Sequence, residues 1–217
     1  MTTSGFKRLT LVTLAAGALA AALSACAPLV VGGVMVGGAL VVSDRRTSGA
    51  QLEDEGIELR SANRIKDTVG DKAHVNVTSY NRQVLLTGEA PTAQDRERIE
   101  AAVKGVDNVR GVVNELAVMP NSSLTQRSND TLITGKVKAS FVDAKDISLN
   151  AFKVVTERNT VYLLGIVTTR EANRVTDITR GVGGVEKVVR VFEIVSEEEL
   201  ARTQPKPAPV VNDPAAK

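Results

Sequence analysis

The chain has 217 residues, a length that fits one or two ordinary domains, and carries 27 lysines and arginines against 25 aspartates and glutamates. Aromatic residues make up 3% of the sequence and tryptophan is absent. A formal net charge of only +2 and the scarcity of stacking side chains argue against a nucleic-acid-binding surface. The single cysteine excludes an intrachain disulfide.

The N-terminal segment has the pattern of a secretory signal peptide. Lys7 and Arg8 precede an apolar run over residues 9–22. The next four residues, Leu-Ser-Ala-Cys, resemble the lipobox of bacterial lipoproteins, which is cleaved just before a cysteine that carries lipid. We therefore predict a lipoprotein signal peptide at 1–25 and lipidation of Cys26. Removing Lys7 and Arg8 from the 27 basic residues leaves 25, which balances the 25 acidic residues of the mature chain.

Residues 26–52 are predicted to contain the lipidated cysteine and a glycine-rich spacer. The apolar stretch from Ala27 to Val42 is shorter than the ~20 residues that a transmembrane helix needs. One interpretation is a flexible or membrane-apposed spacer. The alternative is a helix-packing motif, because three residues separate Gly33 from Gly37.

An internal repeat determines the expected architecture. Val84–Gly88 corresponds to Val161–Gly165, and Gly105–Val113 corresponds to Gly181–Val189, in the same order along the chain. We therefore predict two homologous domains, separated by a polar linker and followed by a proline-rich, disordered tail. The first domain covers 53–118 and the linker covers 119–128. The second domain covers 129–195 and the tail covers 196–217.

Both domains are predicted to follow the order helix, strand, strand, helix, strand. In the first domain the strands lie around 75–77, 84–88 and 112–118. The helix before the third strand has an apolar face formed by Ile99, Ala102 and Val106. The expected fold class is α+β: two tandem domains, each with two helices packed on one face of a three-stranded mixed sheet.

The second domain repeats this order. We expect Asp130 to cap a helix from Thr131 to about Val142. Two strands, Phe152–Thr156 and Val161–Leu164, follow with a tight turn between them, and the last strand covers 188–195. The apolar stripe of the first helix consists of Ile133, Val137 and Phe141.

These elements resemble the BON domain (bacterial OsmY and nodulation). The resemblance rests on Asn129–Val137, on the Val161–Gly165 strand, and on the pattern Gly-Val-x-x-Val-x-x-Val that begins at Gly105 and at Gly181. Together with the lipobox and the segment Asp44–Gln51, the duplicated domain is similar to the dual BON-domain outer-membrane lipoproteins.

That resemblance implies a non-enzymatic protein that maintains envelope integrity. Its lipid anchor would lie in the outer membrane, with the domains facing the periplasm. The second BON domain would bind anionic phospholipid, phosphatidylglycerol or cardiolipin, through its first helix, and so direct the protein to division sites. The family is also linked to outer-membrane assembly and to control of cell-wall amidases.

The charge distribution favours the second domain as the lipid-binding one. Residues 54–118 contain 9 basic and 11 acidic residues, whereas residues 130–195 contain 10 and 8. The family pattern has a tryptophan where this chain has Leu132, so we expect weaker lipid affinity, because leucine lacks the interface-seeking indole. The candidate lipid-contact residues are Leu132, Lys136, Ala139 and Phe141.

An adaptor role is the alternative, in which the repeats dock protein partners and the lipid anchor only confines them. An enzyme is not expected. His74 is the only histidine, no second histidine or cysteine accompanies it, and no serine-elbow motif occurs. We therefore expect a solvated His74, no metal site and no cofactor.

Overall fold

The computed structural model describes residues 44–203. The predicted signal peptide, Cys26 and most of the spacer lie outside the described residues, as do residues 204–217. Domain 1 contains α1 (Ser48–Val69), β1 (His74–Tyr80), β2 (Gln83–Ala90), α2 (Ala93–Lys104), β3 (Gly111–Asn114) and β4 (Ala117–Val118). Domain 2 contains α3 (Leu124–Asp143), β5 (Phe152–Glu157), β6 (Thr160–Val167), α4 (Thr169–Arg180) and β7 (Lys187–Ile194), and α5 (Glu197–Thr203) follows it.

Each domain forms a mixed sheet, which confirms the predicted α+β class. β2 pairs antiparallel with β1 and parallel with β3 and β4, and β6 pairs antiparallel with β5 and parallel with β7. The strand predicted over 112–118 is interrupted, so the first sheet has a short fourth strand. The interruption has a local cause, because Asn114 Oδ1 accepts a hydrogen bond from Leu116 N at 3.2 Å and competes with the strand ladder.

The first helix of each domain begins earlier than predicted. α1 begins at Ser48, before the predicted start of domain 1 at residue 53, and α3 begins at Leu124, inside the predicted linker. Asp130 is therefore not the N-cap of α3. Ser123 has that role, because its hydroxyl accepts a hydrogen bond from Gln126 N at 3.2 Å.

Part of the predicted disordered tail is helical. The helix α5 occupies 197–203, where the Ser196 hydroxyl accepts a hydrogen bond from Glu199 N at 3.1 Å. Three glutamates in the first turn match the positive end of the helix dipole. Leu200 is buried, and Glu197 forms an exposed ion pair with Arg170 of α4 at 3.6 Å.

Asp130 and its counterpart Asp54 connect the first helix to the following hairpin turn. Each aspartate is buried, and its two carboxylate oxygens accept hydrogen bonds from two successive backbone N–H groups. The four N···O distances lie between 2.8 and 2.9 Å. All four turn residues have positive φ, as a two-residue type I′ turn requires, so the predicted tight turns are confirmed. They are Asn81, Arg82, Arg158 and Asn159.

The described residues bury three apolar clusters. Two lie between the helices and the sheet of each domain, around Ile57 and Ile99 in domain 1 and around Val137 and Phe141 in domain 2. The third lies between the two sheets and is described below. Within residues 44–203, no helix combines the length and apolar character needed to cross a bilayer.

Candidate functional site

The solvent face of α3 carries an apolar ridge. Three large apolar side chains are mostly exposed there, with Leu124 at 78%, Leu132 at 64% and Val142 at 66%. At about 100° per residue, they share a sector roughly 80° wide with the exposed Gly135 and Ala139. That sector lies opposite the buried stripe of the same helix. We call these five residues the α3 ridge.

Two lysines border the α3 ridge on opposite sides. Lys136 and Lys138 are exposed, and each lies about 40° beyond one edge of the sector. Neither lysine has an ion-pair partner within residues 44–203. The helix thus presents a low, largely apolar strip, interrupted by the exposed Ser128, with an unpaired lysine on each side. The exposed Asp143, the last residue of the helix, lies about 20° beyond the Leu132 edge.

The structure separates the four candidate lipid-contact residues into two groups. Leu132, Lys136 and Ala139 lie together on the exposed side of α3. Phe141 is fully buried and packs against Phe152, with ring centroids 5.8 Å apart. Phe141 is therefore corrected from a lipid contact to a core residue, because four-residue spacing aligns it with Ile133 and Val137 rather than with Leu132.

The equivalent helix of domain 1 has a different electrostatic character. Leu52 and Leu59 are exposed on α1, at 71% and 65%. On the same projection their exposed charged neighbours are of both signs: Glu55 and Asp67 are acidic, and Lys66 is basic. The exposed leucines of α1 therefore lie among charges of both signs, whereas Leu132 on α3 has Lys136 one helical turn away.

The two sheets pack face to face through the surfaces that the helices leave open. Tyr80 and Leu85 from domain 1 form one buried cluster with Tyr162 and Leu164 from domain 2. Burial raises the pKa of Tyr80 to about 12, since no water is available to solvate its phenolate. The central strands β2 and β6 are consequently buried on both faces, which explains their continuous apolar sequences.

The segment just before α1 contacts both domains. Arg45 makes two hydrogen bonds of 2.7 and 2.8 Å to the carboxylate of Glu171 in domain 2, and a third of 2.8 Å to the carbonyl of Ile166. Its neighbour Arg46 donates to Asp54 in domain 1 at 2.7 Å and lies 4.3 Å above the centre of the Tyr80 ring. We call this pair of arginines the arginine clasp.

Both carboxylates that meet the arginine clasp stay ionised to unusually low pH. Burial alone would raise the pKa of Glu171, but hydrogen bonds from Arg45 and from the backbone of Thr168 outweigh it and lower that pKa. Burial also opposes ionisation of Asp54, and hydrogen bonds from Ser79, the hairpin backbone and Arg46 again lower the pKa. The clasp therefore joins two carboxylates that are charged at neutral pH.

Further polar contacts surround the apolar contact between the sheets. Lys153 donates to Glu58 at 2.7 Å, Asn81 donates to Glu193 at 2.7 Å, and Arg110 lies 3.4 Å from the same Glu193 carboxylate. All three connect domain 1 to domain 2. The interface thus has an apolar centre and a charged rim.

His74 is not solvated as the sequence suggested. It is on β1 directly opposite Glu89 on β2, and its Nδ1 lies 3.0 Å from Glu89 Oε2. Glu157, the last residue of β5, approaches from domain 2, and its Oε2 accepts a hydrogen bond of 2.8 Å from Asn76. One ligand-capable atom from each of His74, Glu89 and Glu157 lies within 4.8 Å of the other two.

The roles of Arg45, Arg46 and Glu171 could not be predicted from the sequence. Asp44–Gln51 contributed to the family resemblance, but its local pattern contains no sign of a contact with a residue more than a hundred positions away. Glu171 does have a local signal, because Thr168 and Glu171 form a capping box. That motif explains the helix start and not the pairing with Arg45.

Comparison with known proteins agrees with the repeat and the fold. The sequence model of the BON domain matches residues 53–120 and 129–196. The chain belongs to the BON-domain family. Its two BON domains correspond to the two mixed sheets with their helices.

Curated relatives cover most of the chain. It is 40% identical over 174 residues to the outer membrane lipoprotein DolP of Haemophilus influenzae, covering 79% of this chain and 89% of that protein. It is 33% identical over 154 residues to the 21 kDa hemolysin of Actinobacillus pleuropneumoniae, covering 70% and 79%. This BON-domain protein is thus a homologue of an outer-membrane lipoprotein.

Among solved structures, the match to CdsD, a structural protein of the type III secretion system of Chlamydia trachomatis, has a TM-score of 0.27 at 10% identity. It covers 68% of this chain and 98% of that chain.

Proposed function

We propose that this protein is an outer-membrane lipoprotein, anchored through Cys26 and facing the periplasm, whose second BON domain binds anionic phospholipid. Binding would direct the protein to sites such as the division septum, where it maintains envelope integrity. The observation that carries the proposal is the α3 ridge with its two unpaired lysines. An apolar strip with basic flanks suits the boundary between headgroups and acyl chains.

The charge of the flanks selects anionic lipid. Each lysine near such a surface contributes about 1 kcal/mol, and the contribution is screened by salt. The apolar part adds the insertion of Leu132, worth up to about 1.5–3 kcal/mol if the side chain is fully buried. These terms are modest for a free domain. They suffice for a tethered one, because the lipid anchor keeps the local lipid concentration high.

The proposal can be tested with the mature chain in which Cys26→Ser removes lipidation. Co-sedimentation with phosphatidylglycerol or cardiolipin vesicles should exceed that with phosphatidylcholine vesicles and should weaken with salt. Leu132→Glu should reduce binding at least about tenfold, because it removes an inserting side chain and adds a repelled charge. Leu59→Glu is the matched control, since Leu59 is equally exposed on the first helix of the other domain. Equal binding by both variants and by the parent would contradict the proposal.

The same pair of variants tests the adaptor alternative. One observation favours it: Leu52 and Leu59 are exposed on α1, where the neighbouring charges are of both signs and do not select an anionic surface. If the repeats dock a protein partner through that face, Leu59→Glu and not Leu132→Glu will displace the full-length tagged protein from septa. Lipid-directed localisation predicts the opposite result in the same imaging experiment.

A further inference from the structure

We infer that His74, Glu89 and Glu157 form a binding site for a divalent transition-metal ion between the two BON domains. Domain 1 supplies an imidazole and a carboxylate from opposite positions on a strand pair, and domain 2 supplies the second carboxylate. A bound ion would therefore connect the domains. This inference is independent of the proposed lipid binding.

Burial is the first reason to assign a ligand here. Glu89 is completely buried and Glu157 is 5% exposed, so two carboxylates lie out of water with a single imidazole beside them. Neighbouring charges do not neutralise the two carboxylates, because the charges of Arg127 and Asp130, which line the same cavity, are opposite and cancel.

An unsatisfied atom is the second and independent reason. Glu89 Oε2 accepts a hydrogen bond from Ser122 N at 3.1 Å and lies 3.0 Å from His74 Nδ1, whereas Glu89 Oε1 has no hydrogen-bond partner within the described structure. A buried carboxylate oxygen without a donor is costly. Coordination to a cation would compensate it directly.

The donor set points to the class of ion. One imidazole nitrogen with two carboxylate oxygens suits zinc and similar transition metals, whereas calcium and magnesium favour sites built from oxygen alone. Tetrahedral zinc with bonds of about 2.1 Å places its ligand atoms about 3.4 Å apart. The ligand atoms here lie within 4.8 Å of one another, so side-chain movements that shorten these separations by up to about 1.4 Å would complete the site.

The site is accessible from solvent, and a neighbouring side chain orients one of its ligands. The His74 side chain is 18% exposed, and both His74 and Glu157 line an open cavity through which an ion can enter. Asn76 donates to Glu157 and orients that carboxylate, as outer partners of metal ligands commonly do. The fourth zinc position would remain for water.

The test uses the mature chain without a polyhistidine tag and with Cys26→Ser, because a free thiol would itself bind zinc. Isothermal titration with ZnCl2 should show one ion per chain, and the unfolding temperature should rise, while MgCl2 and CaCl2 should leave both unchanged. Since His74 is the only histidine, its ring 15N resonances report the site without ambiguity and should shift on zinc addition.

Glu157→Gln is the decisive variant. Its amide oxygen can still accept from Asn76, so the interface keeps that hydrogen bond while losing a ligand. Zinc affinity should fall at least about tenfold. Glu97→Gln, an exposed position that loses the same charge, should bind like the parent. If Glu157→Gln fails to fold, His74→Asn applies the same test.

Three results would overturn the inference: no saturable zinc binding, unchanged His74 ring resonances, or undiminished affinity in the ligand variant.

Discussion

The arginine clasp gives the sharpest test of how the two BON domains are held together. Arg45 and Glu171 are 8% and 9% exposed and form a bidentate pair. Arg45→Met keeps most of the aliphatic side chain but leaves the Glu171 carboxylate buried without its cation. Removing one partner of a buried ion pair costs roughly 3–5 kcal/mol.

The lower end of that range applies here. Glu171 retains hydrogen bonds from Thr168 N at 3.0 Å and from the Thr168 hydroxyl at 3.3 Å, so it is only partly deprived of donors. A loss of about 3 kcal/mol corresponds to a fall in unfolding temperature of roughly 6–12 °C for a chain of this size. In urea, with a slope of about 1–3 kcal/mol/M, the midpoint should fall by at least about 1 M.

Urea unfolding of the mature chain, followed by circular dichroism, measures this loss. Arg110→Met is the control, because Arg110 also reaches across the interface, to Glu193, but in an exposed pair worth less than about 1 kcal/mol. Arg45→Met combined with Glu171→Gln should recover part of the stability, since the buried charge is then gone. Equal, small losses for Arg45→Met and Arg110→Met would refute the clasp as a determinant of domain packing.

Three further outcomes are expected. Leu132→Trp should strengthen binding to phosphatidylglycerol vesicles in co-sedimentation, because an indole favours the membrane interface. Asp130→Ala should lower the free energy of unfolding by about 2 kcal/mol or more in urea titrations, because it leaves two hairpin N–H groups without their acceptor. The pKa values of Asp54 and Glu171 are lowered in the folded state, so the stability they contribute is present above the unfolded carboxyl pKa of about 4. That stability is lost as pH falls through the folded pKa values. Urea midpoints should therefore drop on acidification, and they should drop less steeply in Asp54→Asn.

Much of each domain could be predicted because it depends on local pattern. The four-residue spacing of Ile133, Val137 and Phe141 determines which face of α3 is buried, and the structure has all three in the core. The same spacing contradicts Phe141 as a lipid contact. Helix starts were predicted less well, because Asp130 is a good capping residue by type, yet Ser123 earlier in the chain supplies the cap.

The candidate metal site could not be predicted from sequence pattern alone. No second metal ligand follows His74 at a recognisable sequence spacing. Glu89 is fifteen residues away on the paired strand, and Glu157 belongs to the other domain. Only the packing of one sheet on the other brings the three together. A search for nearby cysteines and histidines therefore finds an isolated residue.

By itself the sequence determined the lipobox, the duplication, the α+β order of each domain and the exposed position of Leu132, because these follow from residue type, period and spacing along one chain. Tertiary structure alone decided that the two sheets face each other, that Arg45 reaches Glu171, and that His74 meets two buried carboxylates. The physical reason is that side chains on the open face of a sheet find their contacts and are buried only when a second surface packs against that face. No periodicity within either repeat identifies that surface.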